Sequence, residues 1–379
     1  MTKFKALSLF SNVGIAETYF ERNGVKVVIA NELLEERVNF YKHLYPNTNM
    51  IMGDITKKET QEKVLKASFE ANVDFIIATP PCQGMSIAGK RERMDPRNQL
   101  IYYAIEFIKK IKPKYVFLEN VPQTLTTKIL VNNDEILIRD YIYNELKDLY
   151  IFSKKSLVSA MEYGVPQMRK RNIFLLSRND QKYIWEFPEK EKVITLKDAI
   201  YHLPPLDPLL KEGYDETIAM FPDFEKKKEA AAKISIYHRP PKHAKKHVLC
   251  MMHTPSGKTA FDNEIYYPKK NDGTKVNGHY NTYRRLDWNK PSRTITQNNG
   301  VISSLCCVHP GRQYTSSSGE TLYSDPRCLS LYELFIVTSL PNDWNPPEWA
   351  SETTIRKVIG EGIPPLFVEK IIKNLIKNT

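Results

Sequence analysis

A cysteine in an unusual local sequence is the first candidate for chemistry. Cys82 follows Pro80 and Pro81 at the end of the stretch DFIIATPP, and a polar, basic stretch from Gln83 to Arg97 comes next. The two prolines restrict the backbone just before the thiol and so fix its direction. Neighbouring arginine and lysine side chains favour the thiolate, which is a strong nucleophile. The pattern predicts a nucleophilic cysteine, with a buried structural cysteine as the alternative.

Three further positions lie where apolar segments end. Gly14 occupies the first turn, Glu32 ends the segment VKVVIANE, and Asp54 follows MIMG. A glycine lets the backbone approach a ligand closely, an acid such as Glu32 can accept hydrogen bonds from ribose hydroxyls, and Asp54 can accept one from an adenine amino group. Each position alone also fits an ordinary turn or solvated strand end. Together they favour a ligand of the adenosine type.

Alternating strands and helices are predicted to position these residues. The predicted strands are Lys5–Phe10, Val25–Glu32, Met50–Ile55, Asp74–Pro80 and Lys114–Val121, and the predicted helices are Gly14 to about Asn23, Glu35–Tyr45, Lys57–Glu70 and Asn98–Ile111. This order is typical of an α/β protein with a doubly wound, mostly parallel sheet. Ligands bind at the carboxyl ends of the strands in such sheets, and the candidate residues all fall there.

The character of the sequence changes after about residue 179. Prolines interrupt any long element, and the segment 225–247 carries eight Lys or Arg and three His. We therefore predict one domain from residues 1–184 and 353–379, and a second, smaller, irregular domain from 185–352. The final segment, VIGEGIPPLFVEKIIKNLIKN, predicts an amphipathic helix that packs back on the first domain.

Composition narrows the class of partner. The chain has 55 Lys and Arg against 44 Asp and Glu, a net charge of +11, which favours a polyanion such as nucleic acid. Its five cysteines form no CxxC and no zinc-ligand spacing, so we expect free thiols and no metal. The sequence shows no 18-residue apolar run and begins without the pattern of a signal peptide. We therefore expect a cytoplasmic, nucleoid-associated protein with no membrane partner.

Six motifs, in the same order along the chain, resemble those of the cytosine-C5 DNA methyltransferases. They are PPCQGMSIAGKR, LENV, YGVPQMRKRNIFL, KPSRTIT, DPRCLSLYELFIVTSLPNDW and IGEGIPP. The resemblance covers nearly the whole chain except the stretch between about 183 and 285. It implies a DNA (cytosine-5-)-methyltransferase of the bacterial restriction–modification type, with the S-adenosylmethionine-dependent methyltransferase fold and a target-recognition domain with a hinge in residues 185–352.

The resemblance also implies roles for individual residues. Cys82 would attack C6 of a cytosine flipped out of duplex DNA, Glu119 would protonate N3, and Arg171 would hold O2 and the carboxylate. Gln83 and Arg169 complete the candidate catalytic set, with Arg169 bracing the loop or the phosphate backbone. The candidate residues for S-adenosylmethionine, whose product is S-adenosylhomocysteine, are Phe10, Asn12, Val13, Gly14, Ile15, Glu32, Leu33, Asp54, Ile55, Pro80, Leu100, Glu361, Gly362 and Ile363. The candidate DNA contacts are Ser86, Lys90, Arg91, Arg93, Arg97, Tyr283, Arg284, Arg285, Arg293 and Thr294.

The chain departs from the family pattern in two motifs. The first motif usually carries a glycine pair or triplet where this chain has Asn12, Val13, Gly14 and Ile15. The last usually reads Gly-Asn-Ala/Ser-Val-Pro-Pro, where this chain has Glu361 and Gly362 in the middle. Both motifs line the cofactor pocket in the family.

Other interpretations stay open from the sequence alone. They are an RNA (tRNA) cytosine-5 methyltransferase, a non-catalytic DNA-binding regulator on the same scaffold and, more remotely, a nicotinamide dehydrogenase. A basic chain with a variable region of about 100 residues favours duplex DNA as the substrate. We expect each chain to hold one complete active site, so the protein should function as a monomer. A cognate restriction endonuclease is a possible partner that needs no stable complex.

Overall fold

The computed structural model describes residues 2–81, 99–131 and 134–379. Its strands are β1 Phe4–Leu9, β2 Val25–Glu32, β3 Asn49–Met52, β4 Phe75–Ala78, β5 Tyr115–Asn120, β6 Lys128–Val131, β7 Asp134–Leu137, β8 Tyr150–Phe152, β9 Leu157–Ser159, β10 Gln167–Met168, β11 Lys170–Arg178, β12 Leu209–Leu210, β13 Lys242–His243, β14 Ser292–Arg293, β15 Gln313–Thr315 and β16 Thr321–Tyr323. Its α-helices are α1 Glu35–Leu44, α2 Lys58–Glu70, α3 Leu100–Ile111, α4 Ile138–Leu146, α5 Leu196–Ile200, α6 Tyr214–Met220, α7 Phe224–Ile234, α8 Lys245–Met252, α9 Leu331–Val337, α10 Glu352–Glu361 and α11 Pro365–Asn378.

One mixed sheet organises the catalytic half of the chain. Its strands lie in the order β3-β2-β1-β4-β5-β11-β8, and β9 also pairs with β11. The pairs among β1 to β5 are parallel, whereas β11 is antiparallel to β5, β8 and β9. The predicted doubly wound, mostly parallel sheet is confirmed. The strand order reverses between β1 and β4, which is where such sheets open a crevice for a ligand.

Both faces of the sheet are buried, as the continuous apolar strands predict. Along β5, Val116 and Leu118 pack on one face with residues of α2, α3 and α4, whereas Tyr115 and Phe117 pack on the other face with α11. This alternation is the period of two expected for a strand covered on both sides. Helix α11 therefore packs back on the sheet, which confirms the prediction for the carboxyl-terminal segment.

The predicted helix between Gly14 and Asn23 is wrong. The structure has two short 3₁₀ turns there, Ile15–Glu17 and Glu21–Asn23. The N–H groups of Glu17 and Thr18 donate to the carbonyls three residues back, at 3.0 Å and 3.3 Å, and the Tyr45 and Thr18 hydroxyls add second bonds to the same carbonyls at 2.7 Å and 2.8 Å. These bonds involve a tyrosine 31 residues away, which a local pattern does not reveal.

Residues 185–352 do not pack as a fully separate body. A core joins Val13 and Phe40, beside the sheet, to Leu196, Phe335 and many other residues of this region. Two smaller cores lie entirely within it, one around Met251 and Cys328 and one around Leu210 and Val248. The boundaries at 184/185 and 352/353 therefore stay a prediction.

A cluster of buried charges anchors the start of α9. Arg327 donates to Asp325 at 2.8 Å and to Glu333 at 2.7 Å, and all three side chains are at most 1% exposed. Ser330 caps the helix by accepting from the Glu333 N–H. The adjacent charges hold the pKa of Asp325 and of Glu333 far below their usual range despite burial. This cluster holds the DPRCLSLYELF motif in the core.

The described cysteines are free and buried: Cys250, Cys306, Cys307 and Cys328. Burial raises the pKa of Cys250 to about 11 and also raises that of Cys306 and Cys328. These thiols are therefore protonated near neutral pH and are poor nucleophiles.

Across the described part of the chain, no helix is both long enough and apolar enough to cross a bilayer. Over the same residues, no three His, Cys, Asp or Glu side chains gather as metal ligands.

Candidate active site

An acid and an arginine meet at the carboxyl end of β5. The Glu119 and Arg171 side chains are 9% and 12% exposed, and Nε of Arg171 lies 2.7 Å from Oε1 of Glu119. The antiparallel register, in which Ile173 faces Glu119, brings the two together across β5 and β11. Burial raises the pKa of Glu119, and the charges of Arg171 and Arg169 oppose that rise. The site thus holds a carboxyl group that protonates more readily than an exposed one and is already oriented by a cation.

Arg169 is almost fully buried and ties together several main-chain segments. Its guanidinium donates to the carbonyls of Ile295 at 3.0 Å, Gly360 at 3.1 Å and Glu361 at 2.9 Å. Its predicted bracing role thus falls on protein main chain. The interpretation that it contacts a phosphate receives no support from these bonds, because its bonded nitrogens already face carbonyls.

The chain leading to the candidate nucleophile is fixed by β5. Asn120 donates from Nδ2 to the Pro80 carbonyl at 3.1 Å, and the Thr79 hydroxyl donates to the Phe10 carbonyl at 3.1 Å. These bonds join the ends of β5, β4 and β1. Cys82 and Gln83, predicted to be catalytic, lie outside the described residues, as do the predicted DNA contacts Ser86, Lys90, Arg91, Arg93 and Arg97.

The turn after β1 forms one wall of the switch-point crevice. Phe10, Asn12 and Gly14 take positive φ angles of 58°, 51° and 76°. A Cβ built on Gly14 would lie 2.4 Å from Cε2 of Tyr45, so only glycine fits there. The Asn12 N–H donates to Oε2 of Glu32 at 2.9 Å, which ties the turn to the end of β2.

The acids at the ends of β2 and β3 stand beside exposed apolar side chains. Oε1 of Glu32 accepts from the main-chain N–H groups of Leu33 and Leu34, and Oδ1 of Asp54 accepts from the Thr56 N–H. Leu33 is 56% exposed and Met52, next to Gly53 and Asp54, is 55% exposed. Large exposed apolar residues at a ligand edge suit the face of a planar base.

The remaining cofactor candidates divide between this crevice and the core. Val13, Ile15, Ile55 and Ile363 are buried in hydrophobic cores, Pro80 is buried, and Leu100 is partly exposed at the start of α3. Glu361 ends α10 and reaches the turn after β1, where its Oε2 accepts from Nδ2 of Asn12 at 2.7 Å. The first and last motifs therefore meet in space.

The predicted DNA contacts in the described region differ in availability. Arg293 is exposed and donates to Asn281 at 2.9 Å, and Arg284 is partly exposed, 4.5 Å from the ring centre of Tyr280. Thr294 donates to the Met168 carbonyl at 2.8 Å, which joins this segment to β10, next to Arg169. Arg293 is thus available to a polyanion close to β10 and β11, whereas Nη2 of Arg284 donates to the Gly257 carbonyl at 2.7 Å.

Arg285 and Tyr283 need correction as DNA contacts. Arg285 is 1% exposed, and its guanidinium donates to main-chain carbonyls of Met251, Tyr323, Ser324, His309 and Asp325. Tyr283 is 7% exposed and packs edge-on against Phe261 and His247. Both side chains hold the core of the region. The alternation within TYRR sends only the first arginine outward.

Two histidines of the basic segment 225–247 also lie in the interior. His238 contacts the Ser330 hydroxyl at 2.9 Å and His243 accepts from the Cys328 N–H at 3.1 Å, both in the interior. Burial lowers the pKa of His243 to about 3, so it stays neutral and offers no charge to a phosphate.

Sequence reasoning missed residues that act through others. Asn120 holds Pro80, and its position beside Glu119 in LENV was a usable signal. Arg37, in α1, pairs with Glu361 at 2.8 Å. Glu17 is buried under the first turn, where it accepts from the Ser8 and Tyr41 hydroxyls, and burial raises its pKa to about 7. Nothing in the local sequence marks Arg37 or Glu17.

Comparison with known families decides what this arrangement is. A family model described as C-5 cytosine-specific DNA methylase matches residues 4–377. The chain belongs to the C-5 cytosine-specific DNA methylase family. It is 39% identical to the Type II methyltransferase M1.HgaI of Avibacterium volantium over 374 residues, covering 97% of each chain. It is 24% identical to the Type II methyltransferase M1.HphI of Haemophilus parahaemolyticus, covering 98% of this chain and 86% of that one.

Solved structures of similar fold accompany this family match. A prophage-encoded DNA modification methyltransferase of E. coli superposes with a TM-score of 0.66 at 21% identity, covering 100% of both chains. The DNMT2 protein of Spodoptera frugiperda superposes with a TM-score of 0.55 at 18% identity, covering 99% of both chains. These likenesses establish the α/β methyltransferase fold. The family match and the 39% identity to a Type II methyltransferase show a DNA cytosine-5 methyltransferase, not a nicotinamide dehydrogenase.

The family implies S-adenosylmethionine as the methyl donor, and the crevice fits it. The left-handed turn at Asn12 and Gly14 suits the amino acid part of the molecule, and the carboxylate of Glu32 suits the ribose. The exposed Leu33 and Met52 beside Asp54 suit the adenine. When bound, this molecule supplies an electrophilic methyl group on a sulfonium.

Proposed function

We propose that this enzyme methylates C5 of a cytosine flipped out of duplex DNA through a transient covalent bond to Cys82. The single observation that carries the proposal is the Glu119–Arg171 pair at the end of β5, beside the anchored Pro80 that leads into the Pro-Pro-Cys motif. A thiolate alone adds poorly to a pyrimidine ring. It needs an acid at N3 and a cation near O2, and this pair supplies both.

The proposed reaction proceeds through addition, methyl transfer and elimination. The Cys82 thiolate forms a bond to C6, the electron pair of the ring double bond moves toward N3, and Glu119 gives its proton to N3. Arg171 stabilises the charge that develops on O2 and keeps the Glu119 carboxyl group oriented. C5 is now carbanion-like and accepts the methyl group. Loss of the C5 proton to a base, for which water suffices, then breaks the C6–sulfur bond, and N3 returns its proton to Glu119.

The substrate must be unstacked before this chemistry, at a cost of a few kcal/mol. The exposed Arg293 and the partly exposed Arg284 support contacts to the DNA backbone, and the exposed Tyr280 and the partly exposed Asn281 lie beside them. Residues 185–352 supply the target-recognition region in this proposal.

We extend the proposal to biological context. The relatives named Type II methyltransferases support a role in protecting DNA alongside a restriction endonuclease that reads the same site. The enzyme works as a monomer in the cytoplasm, without a metal ion, and releases S-adenosylhomocysteine. Comparing methyl incorporation into duplex DNA and tRNA tests the substrate class, and incorporation only into tRNA would contradict it.

A trapping experiment tests the covalent step. Duplex DNA carrying 5-fluorocytosine at the methylated position should accumulate a protein–DNA adduct, because fluorine cannot leave C5 as a cation and elimination stops. Peptide mass spectrometry should locate the adduct on Cys82. The matched control is Cys250→Ala, which removes a buried thiol and should still form the adduct, whereas Cys82→Ala should form none. Attachment elsewhere, or no adduct despite methylation of normal DNA, would refute the mechanism.

A further inference from the structure

The two motifs that depart from the family pattern touch each other. Nδ2 of Asn12 donates to Oε2 of Glu361 at 2.7 Å. A Cβ built on Gly362 would lie 2.8 Å from Cγ2 of Ile15, so Ile15 occupies the space that a larger residue 362 would need. Two residues of the first motif, Asn12 and Ile15, therefore meet the two unusual residues of the last. One contact is polar and the other is steric.

The Glu361 carboxylate also holds a cation from a third segment. Arg37 in α1 lies 2.8 Å from Oε2 of Glu361, and the two side chains are only 19% and 12% exposed. Such a partly buried pair is less screened by solvent than a surface pair. The carboxylate thus joins the turn after β1, the start of α1 and the end of α10.

Main-chain bonds continue this connection in both directions. On one side, the Asn12 N–H donates to Glu32, the candidate ribose acceptor. On the other, Arg169 donates to the Glu361 carbonyl, and its charge opposes the rise that burial causes in the pKa of Glu119. Hydrogen bonds therefore run from the cofactor turn to Arg169, whose charge acts on the catalytic carboxyl group.

The turn needs such support because of its backbone. Phe10 and Asn12 have positive φ angles of 58° and 51°, a region that non-glycine residues seldom occupy without outside contacts. Glycine at position 12 would adopt this conformation freely. Asparagine tolerates it better than most residues and, unlike glycine, carries a side chain that can be held.

We propose that Glu361 is a positioning residue for S-adenosylmethionine, acting through Asn12 and Arg37, and that the Ile15–Gly362 contact is the second half of the same brace. The brace fixes the turn after β1 in its binding shape. This inference rests on the crevice being the S-adenosylmethionine site, as proposed above.

A double-mutant cycle on the full-length protein tests the polar half. Calorimetry with S-adenosylmethionine, without DNA, should show about 10-fold weaker binding for Glu361→Ala, because a charge-assisted bond to the turn is lost. Asn12→Ala should weaken binding similarly, and the double variant should be no weaker than the worse single one. Glu361→Gln, which keeps an acceptor for Asn12 but loses the charge facing Arg37, should fall between.

Two readouts separate positioning from a merely structural role. Duplex DNA affinity without cofactor should be unchanged in Glu361→Ala, since the brace faces the cofactor crevice. The matched control is Glu352→Ala, which removes an ion pair with Arg356 on the same helix, 52% exposed, and should change the cofactor Kd by less than about two-fold. If Glu361→Ala lowered cofactor affinity, DNA affinity and thermal stability together, its role would be structural and the proposal would be overturned.

A suppressor test covers the steric half. Gly362→Ala alone should weaken cofactor binding, and Ile15→Gly combined with Gly362→Ala should restore it, because the Cβ of Ile15 is itself 2.9 Å from the added Cβ. Independent effects in both pairs, or a Glu361→Ala variant within about two-fold of the wild type, would sink the brace while leaving the cofactor site standing. Absence of any S-adenosylmethionine binding by the wild type would overturn both proposals.

Discussion

Glu119 shows how one carboxyl group is prepared for acid chemistry by its surroundings. Burial raises its pKa, and Arg171 at 2.7 Å limits the rise and fixes its orientation. Because the protonated form is the one that can give a proton to N3, activity should fall as pH rises through the pKa of Glu119. Arg171 opposes the rise in the pKa of Glu119, so the carboxyl group can also release its proton in each catalytic cycle.

Glu119→Gln should lower kcat by about 10²- to 10⁴-fold, since glutamine cannot donate the proton to N3. Its affinity for S-adenosylmethionine should stay near that of the wild type. Single-turnover methylation and calorimetry measure the two quantities separately. A variant with unchanged kcat would contradict the acid role.

Glu17 should give the fold a measurable pH dependence. Its pKa is about 7 in the folded protein against an ordinary value of 4.5, so the native state binds more protons between these values. The free energy of unfolding should therefore fall as pH rises from about 4.5 to 7, by on the order of 3 kcal/mol for this group. Above that range the contribution is fully lost.

Urea unfolding of Glu17→Gln at pH 5, 6, 7 and 8 checks this. Glutamine is neutral at every pH, so the variant should gain stability relative to the wild type as pH rises. Glu21→Gln, an exposed change in the next turn, should show a constant difference. A constant difference for Glu17→Gln as well would refute the prediction.

Chemistry-bearing residues could be predicted where one residue defines the role, but not where a distant partner does. Glu119 and Arg171 follow from their motifs, and the structure brings them together. Arg285 looks like its neighbour Arg284 in the sequence, yet it is enclosed by carbonyls from segments up to 40 residues away. In the sequence, Glu361 is only a departure from a motif. In the structure, it accepts a hydrogen bond from Asn12, which lies 349 residues away.

At the scale of elements, β1 to β5 lie within three residues of their predicted bounds, whereas β11, which carries Arg171, was not predicted. The prediction Val25–Glu32 is β2 to the residue, because an apolar run bounded by Gly24 and by the acidic Glu32 leaves little freedom. The predicted helix after Gly14 is wrong because the main chain forms a 3₁₀ turn there, in which the Gly14 carbonyl also accepts from the distant Tyr45 hydroxyl. Local sequence patterns indicate which residues are buried, but they do not reveal a hydrogen bond to a distant residue such as Tyr45.

The start of α9 depends on buried charges more than on its apolar face. Arg327→Met should destabilise the protein by about 3–5 kcal/mol, because Asp325 and Glu333 would be left buried without their cation. Chemical denaturation measures the change. Lys63→Met, which breaks an exposed pair with Glu59 on α2, should cost less than about 1 kcal/mol. Equal effects of the two changes would contradict the role given to the cluster.

The molecule as a whole carries a net charge of +11, which should govern how it meets DNA. The logarithm of the affinity for duplex DNA should fall linearly with the logarithm of salt concentration. Arg293→Ala should reduce the slope by about 1, whereas Lys58→Ala, on a helix covering one face of the sheet, should leave it unchanged. Filter binding between 50 and 200 mM salt, a range of about 4-fold, resolves the slopes. If the affinity for DNA did not change with salt concentration, electrostatic attraction would not account for DNA binding.

The packing of α11 against β1 has a consequence for how the enzyme is made. Lys3 donates to the Ile376 carbonyl at 3.2 Å, and Phe4 shares a core with Phe367, Ile371 and Leu375. A ribosome exposes residue 4 long before residue 375, so the first strand must wait for the last helix while the middle of the chain is synthesised. Until α11 packs, the apolar side chains of Phe4, Tyr115 and Phe117 on that face of the sheet lack one of their partners.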